Sequence, residues 1–235
     1  MSHSIENHVD IIVFSLESDD EKRQFLYQLL SDDEKQRAAR YRFDKHRNRF
    51  ITGRGTIREI LADRVECPPQ AIRFELNKYG KPALHEPESI SHIQFNASSS
   101  ATMGAIALSN DIPLGFDIEK IKSGSSEDND LIVKNEFTND EYDWYIKHRN
   151  FERIRAFFKL WTCKEAYLKA LGIGLSGKLD GFSIDFQGHE PLVSYTGLEN
   201  IGQSKLSLYH LNITDEFVAC LALPKKSCHI NISYW

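Results

Sequence analysis

The chain has 235 residues, 41% hydrophobic and 27% charged, with a net charge of −5. That length allows one large domain or two small ones with a real core, and no run approaches the 18 apolar residues that a membrane-spanning helix needs. The opening MSHSIENHVD lacks a signal-peptide pattern, so a soluble, cytoplasmic protein is the expectation. Four cysteines at 67, 163, 220 and 228 form no CxxC pair, which argues against zinc knuckles and a disulfide framework and for free, buried thiols.

HVDIIVFSLES reads as an opening strand, followed by a helix over about 20–30. Ser31 with Glu34 three positions later forms a capping-box signature that starts a second helix. A longer helix over about 44–65 carries Phe50, Ile57, Ile60 and Leu61 on one stripe, and ECPPQ ends it. AIRFELN and ISHIQFN read as strands around the turn KYGKPAL, and MGAIALS, NDIP and LGFDIEKI as a hairpin near residue 110. KSGSSEDND has the Gly, Ser and acidic content of a flexible loop. Further helices follow, the last over about 151–171 and closed by Gly172 and Gly174, and the rest is β-rich. Helices run into strands twice, which predicts an α+β protein of two lobes, 1–110 and 111–235, although no sequence repeat is evident.

Charge is unevenly placed. Between Glu34 and Lys81 there are 13 lysines and arginines against 6 acids, which suits an anionic ligand as well as a solvated face. In the strand GFDIEK, Asp117 and Glu119 project from one face about 6.6 Å apart, while Phe116 and Ile118 face the other way. Two carboxylates so placed repel unless a cation or a basic group lies between them.

On the last long helix, Trp161, Glu165 and Lys169 recur every four residues and therefore share a stripe. A surface Glu–Lys pair is worth only about 0.3–0.5 kcal/mol and needs no tryptophan one turn upstream, whereas a cleft wall does. Glu165 added to Asp117 and Glu119 makes an oxygen-rich set that suits Mg²⁺. Upstream, Gly80 in NKYGKP lets backbone approach a ligand between Lys78 and Lys81, FNASSS offers three hydroxyls, and Arg37, Arg49 and Arg54 carry planar donor forks. Together these describe a basic pocket beside a cation site, fit for phosphoryl-type transfer on a polyphosphorylated substrate.

GRGTIREILA, KYGKP, FNASSS, GFDIEK and FKLWTCKEAYLKALGIGL, in that order, resemble the 4′-phosphopantetheinyl transferases of the Sfp type over roughly residues 30–175. The resemblance implies two similar α/β lobes in one monomer, with coenzyme A and Mg²⁺ bound between them. It implies transfer of the phosphopantetheine arm to a serine of an apo acyl, peptidyl or polyketide carrier protein, with release of adenosine 3′,5′-bisphosphate. By position, Asp117, Glu119 and Glu165 are the metal carboxylates, Glu165 also a candidate base, and Lys169 the group that meets the phosphates and the leaving group. Arg37, Arg49, Tyr79, Gly80, Lys81, Asn96, Ser98 and Ser99 fall at coenzyme-binding positions. Ser99 departs from the family, which has a histidine there. Two other readings are an inactive coenzyme- or carrier-binding homologue and a metal-dependent nuclease; the net charge of −5 gives the nuclease, and nucleic acid as a partner, little support.

Overall fold

One order of elements occurs twice in the computed structural model, which describes residues 7–85, 92–122, 126–173, 178–186, 188, 191–195, 206–224 and 228–235. The first pass is β1 (Asn7–Ser15), α1 (Asp20–Leu29), α2 (Asp32–Ala39), α3 (Asp44–Val65), a 3-10 turn (Pro69–Ala71), the small hairpin β2 (Phe74–Leu76) and β3 (Pro82–Leu84), then β4 (Ile93–Ser100) and β5 (Met103–Asn110). The second is β6 (Gly115–Lys120), α4 (Ser126–Glu136), α5 (Asn139–Tyr145), α6 (Asn150–Leu171), a 3-10 turn (Leu179–Gly181), β7 (Phe182–Asp185) with β8 (Leu192–Tyr195), then β9 (Leu206–Asn212) and β10 (Phe217–Pro224). A last strand, β11 (Cys228–Tyr234), returns to the first lobe and pairs parallel with β1. The two main sheets run β11-β1-β5-β4 and β6-β10-β9, so the antiparallel order β1-β5-β4 repeats as β6-β10-β9.

The two halves also share one buried ion pair. Glu34, the third residue of α2, caps Ser31 N–H at 3.0 Å and accepts from Arg58 of α3 at 2.7 Å. Arg58, almost fully buried, donates onward to Pro69 O and Ile72 O around the first 3-10 turn. In the second half Glu141, the third residue of α5, caps Thr138 N–H at 3.0 Å and meets Lys164 of α6 at 2.8 Å. Lys164 donates onward to Leu179 O and Phe182 O around the second 3-10 turn. A carboxylate at a helix N-terminus satisfies open N–H groups and the helix dipole at once, which fixes each short helix against its 22-residue partner.

Two sequence expectations give way. MGAIALS and LGFDIEKI form no hairpin: β5 pairs with β1 and β4, while β6 pairs with β10. Apolar alternation identified both strands correctly, but Asp111 at φ 58° and the turn after it carry the chain from one sheet into the other. The acidic part of KSGSSEDND is also not loop but the first turn of α4, where Glu127 and Asp128 face the helix dipole favourably. Residues 123–125, within that stretch, and Gly174 lie outside the described residues. Of the four free thiols, Cys163 and Cys220 are buried as expected, whereas Cys67 and Cys228 are only partly so. No helix of the described residues is long and apolar enough to cross a membrane.

Helix α6 lies directly on β6. A Cβ at Gly115 would overlap Ala166 O and Ala170 N of that helix, so a side chain at 115 must push α6 off the strand. Gly115→Ala should therefore destabilise the fold by about 3 kcal/mol, the upper part of the usual overpacking range, as read by urea denaturation. A variant within experimental error of the parent would show that α6 does not bear on the β6 backbone.

Candidate active site

Strand β6 buries Phe116 and Ile118 in the core between the sheets and turns Asp117 and Glu119 to the opposite face. Asp117 is 3% exposed and Glu119 part-buried. Edge strand β4 runs beside β6 without backbone pairing, and side chains join the two. Asn96 Oδ1 accepts Phe116 N–H at 2.8 Å, Ser98 Oγ donates to Asp117 Oδ1 at 2.7 Å, and Ser100 Oγ donates to Glu119 Oε2 at 2.5 Å.

Helix α6 closes the other side. Glu165 is 8% exposed, and one turn on, Lys169 Nζ reaches Asp117 Oδ1 at 2.5 Å and Ser98 Oγ at 3.1 Å. Of the stripe read from the sequence, Trp161 stacks on Phe157 and, with Glu119, Lys122, Asp128, Asn129, Ile132 and Phe158, lines a cavity of about 340 Å³, while Glu165 and Lys169 lie outside that lining.

Electrostatics at this wall favour a cation. Burial raises the Glu165 carboxyl above its usual range, Lys169 opposes the shift, and Asp117 and Glu119 add to it. Burial also raises Glu119, against the pull of the Ser100 hydroxyl. Asp117 Oδ2 and Glu165 Oε1 are buried with no hydrogen-bond partner, an arrangement that costs free energy unless a positive charge meets them. Lys169 supplies part of that charge. With its ammonium on Asp117, no three acidic, His or Cys side chains among the described residues stand as a ready-made metal cage.

The basic elements gather in the first lobe. Arg37, Arg54, Arg58 and Arg73 line a second cavity of about 160 Å³, together with Phe50, Phe74 and Pro82. Arg37 lies over the Phe50 ring at 5.1 Å and Arg54 over Phe74 at 5.0 Å. Arg58 and Arg73 escaped the sequence reading, because a lone arginine on a helix or in a strand looks like an ordinary solvated one. Gly80, at φ 86°, turns the β2–β3 hairpin back toward the second lobe. Asn77 Nδ2 donates to Gly172 O at the end of α6 at 2.8 Å, and Lys81 Nζ donates to Leu114 O at 2.9 Å. Tyr79 is 43% exposed on the same turn.

Three candidates stand apart from this arrangement. Arg49 pairs with Glu17 at 3.7 Å and is not part of the arginine cavity wall. Asn96, 4% exposed, is committed to the β6 backbone, which its sequence context could not reveal because its partner lies 20 residues away on another sheet. Ser99 is exposed and alternates onto the face of β4 that carries Phe95, whose ring packs against Phe74 of the cavity.

Because burial raises Glu165, its charged form is penalised in the folded state. Glu165→Gln should therefore raise the melting temperature at pH 7 in metal-free buffer. The gain should shrink as pH falls through the raised folded value and vanish below the unfolded value near ~4.3. A Glu165→Gln protein that melts below the parent at pH 7 would contradict this.

A profile described as 4′-phosphopantetheinyl transferase, N-terminal, matches residues 17–110, and one described as 4′-phosphopantetheinyl transferase superfamily matches residues 113–222. The chain is 35% identical over 75% of its length to the 4′-phosphopantetheinyl transferase HetI of Nostoc sp., covering 73% of that protein. It is 29% identical over 71% of its length to the transferase Sfp of Bacillus subtilis, covering 70% of that protein. Thermotoga maritima holo-[acyl-carrier-protein] synthase, a solved structure, aligns with 49% of this chain and 65% of its own at 18% identity and a TM-score of 0.40. With both halves matched in order and the relatives covered over most of their length, the chain belongs to the 4′-phosphopantetheinyl transferase family.

Proposed function

We propose that this protein transfers the 4′-phosphopantetheine arm of coenzyme A to a serine hydroxyl of an apo acyl, peptidyl or polyketide carrier protein and releases adenosine 3′,5′-bisphosphate. The observation that carries the reading is the convergence of Asp117, Glu119 and Glu165 with two partnerless buried oxygens and the ammonium of Lys169 beside them. An all-oxygen, multiply anionic set suits Mg²⁺ chemically; these three carboxylates would hold the ion, which would supply positive charge against the phosphates.

The residues of the chain then divide the work. Arg37 and Arg54 of the arginine cavity, Lys81, the Tyr79–Gly80 turn and Ser98 cradle the adenosine bisphosphate portion, with Arg49 and Ser99 at the rim and Asn96 holding the strand that bears the serines. Glu165, whose burial raises its proton affinity, takes the proton of the incoming serine. As the serine oxygen bonds to the β-phosphorus, the bond to the bisphosphate oxygen breaks, and Lys169 exchanges Asp117 for the charge that develops there. The apolar side chains at Trp161 give the arm a surface to pack on beside Glu119. Residues 1–110 supply the coenzyme contacts and 111–235 the metal and catalytic groups, in one cytoplasmic monomer.

The test is intact-mass spectrometry of apo carrier proteins from fatty-acid, polyketide and nonribosomal-peptide systems after incubation with the protein, coenzyme A and Mg²⁺. Gain of the phosphopantetheine mass on at least one carrier, abolished by chelator and by Asp117→Ala, is the expected result; no gain on any carrier overturns the reading. Lys169→Ala should lower kcat more than it raises the KM for coenzyme A, since its charge matters most late in the reaction. Burial holds the Lys81 ammonium down to about 8, so it loses its charge as pH rises through that value. The KM for coenzyme A should accordingly climb above pH 8, and Lys81→Arg should flatten the climb. A parent KM that stays level from pH 7 to 9.5 would remove Lys81 from the binding set.

A further inference from the structure

The side chains that join β4 to β6 do unequal work. Ser98 and Ser100, two residues apart, share one face of β4; Asp117 and Glu119, two apart, share the facing side of β6, and each hydroxyl meets the carboxylate 19 residues ahead of it. Ser98 Oγ accepts from Lys169, a group the proposed reaction moves. Ser100 Oγ instead accepts the Lys120 backbone N–H at 3.1 Å, a partner that does not move. A hydroxyl has one proton, so with its acceptor side engaged by backbone, the Ser100 proton is directed to Glu119 Oε2. Ser100 is 8% exposed, and among the described residues it is the one hydrogen-bond donor to the Glu119 side chain.

We infer that Ser100 is a positioning residue for the metal site: it fixes the rotation of the Glu119 carboxylate so that one oxygen is held and the other faces the cleft. This rests on the assignment of Glu119 as a divalent-cation ligand made above. Groups that orient a ligating carboxylate contribute to affinity through the ligand, without touching the ion or the substrate. The consequence is a specific division of effects: loss of the hydroxyl weakens the cation and leaves coenzyme recognition at saturating cation alone.

Mn²⁺ titration of the full chain without coenzyme, with free Mn²⁺ read by electron paramagnetic resonance, tests this directly. Ser100→Ala should weaken Mn²⁺ binding by roughly tenfold or more. Ser100→Thr, which keeps the hydroxyl, should stay within about twofold, and thermal melts of both variants in metal-free buffer check that the fold is intact. In the transfer assay, Ser100→Ala should raise the Mg²⁺ concentration for half-maximal rate while the KM for coenzyme A at saturating Mg²⁺ stays level. Equal Mn²⁺ affinity in the parent and Ser100→Ala, or an equal loss in Ser100→Thr, overturns the inference. A parent protein that binds no Mn²⁺ sinks the metal-site assignment itself, an outcome distinct from failure of the positioning role.

Discussion

Lys164 has no exposed side-chain surface, and its charge is met by the equally buried Glu141. Removing one partner of such a pair leaves a buried charge uncompensated, at a cost of about 3–5 kcal/mol, so the pair is less a source of net stability than a condition on how the parts fit. It decides the rotation of α6. With Lys164 drawn toward Glu141 and the second 3-10 turn, the next residue, Glu165, points about 100° further round the helix, toward β6. Lys169, one turn beyond Glu165, follows onto the same wall. Gly115 permits the close seat of the helix that this rotation requires. The wall that carries Glu165 and Lys169 thus follows from a core ion pair.

The same pair in the first lobe shows what duplication kept and what it lost. Arg58 and Lys164 each stand fifteenth in a 22-residue helix, so Glu59 is the positional counterpart of Glu165, and Asp63 that of Lys169. By sheet register, Ile12 and Phe14 of β1 stand where β6 has Asp117 and Glu119. The first lobe therefore retains the frame without the carboxylate pair. Strand β11 lies along its β1, on the edge that in the second lobe faces β4. The second lobe carries the buried carboxylates, and the first the arginine-lined cavity.

Much of this was legible in the sequence wherever the signal is local. The boundaries of α3 were readable from helix periodicity and breakers, and the facing of Asp117 and Glu119 from strand alternation. The shared stripe of Trp161, Glu165 and Lys169 needs only the 3.6-residue period. What escaped was non-local. Alternation says that MGAIALS and GFDIEK are strands but not which partners they take, and a short turn between them imitates a hairpin. The commitment of Asn96 to β6 depends on sheet packing that no window of sequence contains.

The repeat was present in the sequence all the same, at a scale that similarity over whole lobes hides. SDDE precedes TIRE, Thr56 to Glu59, as TNDE precedes TCKE, Thr162 to Glu165, with 25 residues from Ser31 to Gly55 against 24 from Thr138 to Trp161 before each second motif. The capping carboxylate and a basic residue to meet it recur because the shared frame constrains them. Surface and pocket residues were free to diverge. A capping box followed at nearly the same distance by a basic residue and a glutamate is therefore the part of the pattern with a physical reason to recur. It locates Glu165 from the core outward, by the ion pair that orients its helix rather than by the metal it is proposed to hold.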